Sequence, residues 1–482
     1  MEENVSIRRI VDLINESGVR FGTSGVRGLV SDMTDEVCFA YVIAFLESCA
    51  GAAECVVLGH DLRPSSPKIS AACADAIRKS GREVTYCGAL PTPALAYYAF
   101  HAGLPAVVVT GSHIPFDRNG IKFYRADGEI SKSDEESIAN AVINTLPITL
   151  QTTLPIVDSS AYETYVQRYL QFFKPNALSD MRIGVYEHSS VARDVIREIL
   201  EGLGANVIPL GRTNTFVPID TEAVRSEDVK QAKLWANDHK FDAILSTDGD
   251  ADRPLIGDEN GHWLRGDVVG ILCAQFLNAE VVVTPVSSNT AVEKCGQFKK
   301  VVRTRIGSPY VIADMETELN NSDAVVVGFE ANGGFLVGND LTRNGHRLSA
   351  LPTRDAVLPM LALLCTARER GWKLSRLTAS LPQRFTFSNR LQSFSIESSL
   401  SIIEQLRASS TAAQRLMAPD AGKVTHIDST DGLRVTFTSG DIVHLRPSGN
   451  APELRCYAES NNQERAQQLC DDCLAHISRI HS

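Results

Sequence analysis

Three aspartates alternate with small residues in Asp248-Gly249-Asp250-Ala251-Asp252, directly after the apolar run Phe241 to Leu245. Carboxylates that close repel one another unless a cation lies between them, and hard oxygen donors suit Mg2+ or Ca2+. Glu259 stands at the twelfth position from Asp248, but an EF-hand is excluded. The sixth position is Arg253 where a sharp turn needs glycine, Pro254 follows, and a strand pattern leads in. A second chemical stretch is Val107-Val108-Val109-Thr110-Gly111-Ser112-His113-Ile114-Pro115. The apolar run predicts a buried strand, which Gly111 and Pro115 stop. Ser112 then lies just past the carboxyl end of a strand, where open α/β sheets bind ligands. Asn119-Gly120 predicts a second turn and Ile121 to Tyr124 a short returning strand, so that Ser112 and Lys122 flank one loop. A third stretch, Arg446-Pro447-Ser448-Gly449-Asn450-Ala451-Pro452-Glu453-Leu454-Arg455, offers two guanidinium groups, a hydroxyl, an amide and a glycine backbone. That set matches a phosphate in charge and geometry. Gly22 to Gly28, with Arg27, is a glycine-rich turn able to approach an anion, without the lysine pattern of a nucleotide-binding P-loop.

Six short apolar runs must position these loops, and they fall into three pairs: 55–58 with 106–109, 182–186 with 243–245, and 281–283 with 324–327. Helical patterns lie between partners, at 67–80, 191–202 and 308–320. Strand, helix and strand in repetition predict βαβ units with mainly parallel sheet. The second run of each pair leads into a loop carrying glycine and functional side chains, the third being Glu330-Ala331-Asn332-Gly333-Gly334. Near the end of the chain, 433–438 and 442–445 predict an antiparallel hairpin, 454–458 another strand and 463–480 a helix. The expected fold is therefore α/β: three similar α/β domains (1–150, 151–260 and 261–372) with mixed sheets, and a C-terminal α+β domain (373–482), around a central cleft.

Composition narrows the function. At 482 residues, several domains are expected. The net charge of −11 argues against a nucleic-acid partner, so any positive charge for an anionic substrate must be local. No apolar run approaches the roughly 20 residues of a membrane span, and the N-terminal stretch lacks the apolar centre of a signal peptide. Eleven cysteines without framework spacing fit a reducing, cytoplasmic setting. The Cys470-Asp471-Asp472-Cys473 spacing has no second pair and reads as coincidence.

In these motifs and their order the chain resembles the α-D-phosphohexomutase family, which contains phosphomannomutases, phosphoglucomutases and phosphoglucosamine mutases. The resemblance covers nearly the whole chain: Thr110-Gly111-Ser112-His113 with Lys122, then Asp248 to Arg253, then the Glu330 loop, then Arg446 to Arg455. It implies an isomerase that interconverts hexose 1-phosphates and 6-phosphates through a phosphoserine at Ser112 and a bisphosphorylated sugar. Mg2+ would be held by Asp248, Asp250, Asp252 and an oxygen on Ser112. Arg27, His113, Lys122 and Arg253 would serve the reacting phosphate. Glu330 and Asn332 would bind sugar hydroxyls, with Gly307 beside them, while Arg446, Ser448, Gly449, Asn450 and Arg455 would hold the other phosphate. A hexose 1,6-bisphosphate would act as activator. One departure stands out: several bacterial relatives end the sugar loop in histidine, a proposed acid/base, where this chain has Gly334, which turns attention to Lys122 or Arg27. The Gly-Thr-Ser-Gly-Val-Arg-Gly stretch at 22–28 favours mannose phosphate over glucosamine phosphate, with glucose phosphate the runner-up. A metal-dependent phosphatase and a non-catalytic sugar-phosphate sensor are the alternatives from other classes.

Overall fold

The computed structural model describes residues 6–22, 25–145, 153–448 and 452–481. All six apolar runs form strands, and each pair forms two neighbouring parallel strands. Between partners the chain makes one further parallel strand, giving strand–helix–strand–helix–strand. In the first unit Cys55–His60 lies between Glu83–Ala89 and Ala106–Val109. In the second, Arg182–Tyr186 lies between Asn206–Leu210 and Ala243–Thr247. In the third, Val281–Pro285 lies between Lys300–Thr304 and Val326–Phe329. The additional strands are half-exposed sheet edges, so they lack the unbroken apolar run that marks a strand buried on both faces.

After its third parallel strand each unit reverses into an antiparallel one: Arg118–Arg125, Pro254–Gly257 and Phe335–Val337. The reversal corrects one expectation. Asn119 and Gly120 form no turn but lie within Arg118–Arg125. A Cβ on Gly120 would stand 2.6 Å from the Val26 carbonyl oxygen and 2.9 Å from that of Thr110. The glycine therefore serves close strand approach, and buried Asn119 donates to the Ser65 and Ser66 hydroxyls.

Ser66–Lys79 is a helix buried on all sides through its middle. Every residue from Ile69 to Ile77 is buried, with its larger apolar side chains Ile69, Cys73 and Ile77 at intervals of four. Gly81, at φ 80°, allows the chain to turn after it. The largest apolar core is continuous through the first three units and includes Tyr97, Tyr165, Leu200, Phe276 and Phe329. The C-terminal sheet is separate and wholly antiparallel, in the order Phe385–Leu391, Leu454–Ser460, Ile442–Pro447, Leu433–Phe437, Val424–Asp428. Its own core includes Leu433, Val435, Cys456 and Leu474. Cys470 and Cys473 are buried in that core on Gln463–His481, the Cys470 thiol donating to the Cys456 carbonyl at 3.4 Å. Among the described residues no helix is long and apolar enough to cross a membrane.

Candidate active site

The Ser112, Asp248 and Glu330 loops occupy the same place in their units, joining the third parallel strand to its antiparallel return. Ser112 is buried with φ 50°, a left-handed conformation that costs a non-glycine residue roughly 1–3 kcal/mol and persists only where the surroundings impose it. Here they do. The buried Arg63 guanidinium donates to the carbonyls of Ser112, Ile114, Pro115 and Arg118, at 2.5–2.9 Å. Asp61 accepts from the Thr110 hydroxyl (2.8 Å), the Gly111 N–H (3.3 Å) and the Ser66 hydroxyl (2.6 Å). A Cβ on Gly111 would stand 2.6 Å from Arg63, so the glycine makes room for this brace. Neither Asp61 nor Arg63 was singled out from the sequence. Their signal was available, since both follow the apolar run 55–58 at the carboxyl end of a parallel strand.

The Ser112 hydroxyl donates to Asp248 Oδ2 at 2.6 Å and lies 3.3 Å from His113 Nδ1. Asp248, Asp250 and Asp252 are all buried, and one ligand oxygen from each lies within 4.8 Å of the others. Lys122, from the returning strand of the first unit, inserts among them, its ammonium donating to Asp250 Oδ2 (2.6 Å) and Asp252 Oδ2 (2.7 Å). Burial works against that charge, but Asp250 and then Asp252 outweigh it and hold the Lys122 pKa above its usual value. Burial, followed by the Asp250 and Asp252 charges, pushes the Asp248 carboxyl well above the usual range. Burial would raise Asp250 too, but Lys122 overrides it and holds that carboxyl low. Asp250 Oδ1 and Asp252 Oδ1 are buried without a hydrogen-bond partner. Orphaned carboxylate oxygens in a converging, all-oxygen set fit a hard divalent cation.

Beside this cluster lies a cavity of about 300 Å3 lined by all four units. The first contributes Gly22, Arg27 and His113, the second Glu222 and Arg253, the third Gly307, Glu330, Asn332 and Arg354, and the last Arg446, Ser448 and Arg455. Ser112, Lys122 and the three aspartates are not among its lining residues, but two that are contact them: His113 Nδ1 lies 3.3 Å from Ser112 Oγ, and Arg253 Nε lies 3.6 Å from Asp252 Oδ1. Gly449 and Asn450 lie outside the described residues. Arg27 pairs in register with Gly120, and burial, then the Arg253 and Arg354 charges, lower its pKa to about 10. Arg253, then burial, then Arg27 lower that of His113 to about 2, which keeps its ring neutral.

Arg446 and Arg455 face each other in register on the antiparallel hairpin, and both line the cavity. Like charges directly opposite are unfavourable without an anion between them. Arg446 also pairs with Asp431 at 2.8 Å, and Asp431 accepts the Ile306 N–H at 3.0 Å, which ties the hairpin to the loop carrying Gly307. Glu222, Lys132 and Tyr310 in the cavity wall escaped sequence reasoning, as did Arg354 and the neighbouring Glu129 and Thr221. Glu129 accepts from Ser308 next to Gly307 (2.7 Å) and from Thr353 (2.6 Å). Thr221, next to Glu222, donates to the Asn332 carbonyl at 2.9 Å. Arg354 lies 2.8 Å from Asp252 and 3.0 Å from Glu330. None sits in a local motif; only the assembled fold brings them to the site.

Known proteins share this organisation. Residues 18–146, 161–261 and 265–385 match the models of phosphoglucomutase/phosphomannomutase α/β/α domains I, II and III, and 407–476 match that family's C-terminal domain. A phosphomannomutase of Salmonella muenchen is 46% identical over 476 residues, covering 98% of each chain. One from Sinorhizobium fredii is 43% identical over 472 residues, covering 96% of this chain and 99% of the relative. The crystal structure of a phosphoglucomutase/phosphomannomutase family protein from Burkholderia thailandensis superposes with a TM-score of 0.73 at 19% identity, covering 95% of this chain and 97% of that one. With all four domain models matched in order along one polypeptide, the chain belongs to the phosphoglucomutase/phosphomannomutase family.

Proposed function

We infer that this protein is a phosphomannomutase whose resting form carries a phosphoryl group on Ser112. The observation that carries the reading is the pairing of two anion-handling centres around one cavity. Ser112 and the aspartates contact its lining residues His113 and Arg253, and the Arg446/Arg455 hairpin from a separate sheet lines it as well. A hydrolase of phosphate monoesters has no use for the second centre, whereas a mutase must hold one phosphate while the other reacts. In the first half-reaction the bond from Ser112 Oγ to phosphorus breaks. A sugar hydroxyl oxygen bonds to that phosphorus, and its proton passes in net to the freed Ser112 Oγ, giving a hexose bisphosphate and an unmodified serine. The sugar then turns over, the bond between its other phosphoryl group and the sugar oxygen breaks as that phosphorus bonds to Ser112 Oγ, the serine proton passes in net to the sugar oxygen, and the isomeric monophosphate leaves.

The residues divide this work. Arg446, Ser448 and Arg455 hold the idle phosphate; Gly307, Glu330 and Asn332 meet the sugar; Arg27, His113 and Arg253 face the reacting phosphate. Asp248, Asp250 and Asp252 would hold Mg2+ together with an oxygen on Ser112. Bound there, the ion supplies charge neutralisation for a transfer that depends on positioning and electrostatics. Lys122, held cationic by two carboxylates, is a poor proton acceptor in this arrangement. Arg27, its pKa lowered only to about 10, also stays a cation at neutral pH, so both groups serve the reacting phosphate by charge. A hexose 1,6-bisphosphate would recharge Ser112, and eleven free cysteines suit a cytoplasmic location. Mannose phosphate is the preferred substrate on the strength of the two full-length phosphomannomutase relatives, with glucose phosphate second.

Intact-mass measurement of purified protein tests the phosphoserine: one phosphoryl group per chain is expected, and a bare chain that still turns over would remove it from the scheme. Conversion of mannose 1-phosphate should proceed with a higher kcat/KM than that of glucose 1-phosphate. Arg446→Ala should raise KM for hexose phosphates by about one to two decades, the worth of a charge-assisted contact of roughly 1.5–3 kcal/mol. An unchanged KM would reduce the hairpin to a structural role. Asp250→Asn should weaken Mg2+ binding measured by calorimetry and lower turnover. A chelator-treated enzyme at full speed without added metal would contradict the metal assignment.

A further inference from the structure

Gly334 and Arg354 occupy each other's space. A Cβ built on Gly334 would stand 2.7 Å from Arg354 Cδ, 2.8 Å from Cγ and 3.0 Å from Cβ, closer than side-chain carbons pack. The surrounding turn is tight. Glu330 N–H donates to the Gly334 carbonyl at 3.1 Å, and Gly334 N–H donates to Asn332 Oδ1 at 2.9 Å. The loop therefore has little freedom to move a side chain at 334 aside. Arg354 comes from Leu351–Asp355, two strands away in the same sheet, and is buried. Its Nη1 donates to Glu330 Oε2 at 3.0 Å, an oxygen that also lies 3.4 Å from Asn332 Nδ2. Its Nη2 lies 2.8 Å from Asp252 Oδ2, the oxygen that accepts from Lys122. One planar fork thus spans the acidic loop of the second unit and the Glu330 loop of the third, a geometry that lysine cannot reproduce.

We propose that Arg354 is the positioning residue of the Glu330 loop: its guanidinium sets the Glu330 carboxylate in the cavity and registers it against Asp252, and position 334 is glycine because the Arg354 stem fills that space. The proposal rests on the mutase reading for the contact between Glu330 and the sugar, but not for the Arg354–Gly334 geometry. Without the guanidinium, Glu330 keeps only the distant Asn332 amide among the contacts described above, and its carboxylate swings among rotamers of which few meet the sugar.

Steady-state kinetics of full-length Mg2+-loaded enzyme with mannose 1-phosphate test this. Arg354→Met and Glu330→Gln should each lower kcat/KM roughly 10- to 100-fold, mainly through KM, as expected for a lost charge-assisted contact. The double variant should be within about twofold of the worse single, because both changes remove one interaction. Arg354→Lys should recover less than half of the loss on a logarithmic scale. Gly334→Ala should mimic the Arg354 defect in the wild-type background, yet change kcat/KM less than twofold beside Arg354→Ala. Multiplying losses in the Arg354→Met/Glu330→Gln pair, or wild-type kinetics for Gly334→Ala, would overturn the proposal. If Arg354→Met fails to fold, the kinetics of the single variant Gly334→Ala decide alone. Thermal unfolding of Gly334→Ala, Arg354→Ala and their double separates this idea from the choice of substrate. Non-additive Tm shifts support the shared space even if the wild type turns over no hexose phosphate, a result that would end the mutase reading instead. Additive shifts reject the shared space.

Discussion

Ser112→Ala should yield a folded protein with no covalent phosphate and with mutase turnover lower by several decades, on the order of the 10^4- to 10^6-fold seen when a covalent nucleophile is removed. The fold should survive because the hydroxyl does not hold the loop in shape. Arg63 grips its carbonyls, and the Ser112 N–H donates to the Thr110 hydroxyl at 2.8 Å, all through backbone atoms that alanine keeps. Alanine carries the same Cβ at φ 50° and adds no crowding. The lost bond to Asp248 costs about 1 kcal/mol. Intact mass, circular dichroism and a coupled assay for mannose 6-phosphate read the three parts of this expectation. A well-folded Ser112→Ala protein with wild-type turnover would refute the covalent route.

Arg63→Ala should be as damaging to activity although Arg63 lines no part of the cavity. Its Nε lies 3.3 Å from Asp61, and its guanidinium lies 4.1 Å from the centre of the Phe216 ring of the second unit. Truncation leaves the Asp61 carboxylate buried without its cation and four loop carbonyls without donors. Breaking a buried pair this way costs about 3–5 kcal/mol, a fall in Tm of roughly 10 °C for a domain of this size. Ser112 would then relax from its left-handed conformation, and kcat should drop while the KM set by the Arg446 hairpin moves little. Arg63→Lys should rescue neither Tm nor kcat, because one ammonium cannot reach four carbonyls arranged around a planar fork. Wild-type stability and activity in Arg63→Lys would show that charge alone, and not the brace, shapes the loop.

Much of the site was legible before any coordinates because its chemistry is written in short local runs. Asp248, Asp250 and Asp252 repeat at the shortest spacing that lets three carboxylates converge, Ser112 follows an unbroken apolar strand, and Arg446 and Arg455 flank one hairpin tip. The three parallel strand pairs were legible for the same reason: strands buried on both faces are apolar along their length. Contacts made across long stretches of chain were not. Asn119-Gly120 carries a turn signature, yet Gly120 lies in mid-strand because two carbonyl oxygens press on it. Lys122 meets Asp250 and Asp252 from 128 and 130 residues away, and Arg63 reaches its loop from 49 to 55 residues away. The place left bare at Gly334 gains its meaning only when the strand Leu351–Asp355 brings Arg354 over it. Local composition determines which chemistry a loop carries, since backbone propensity and charge act over a few residues. The packing of separate sheets decides which cation answers which carboxylate, because burial makes an unpaired charge too costly to keep.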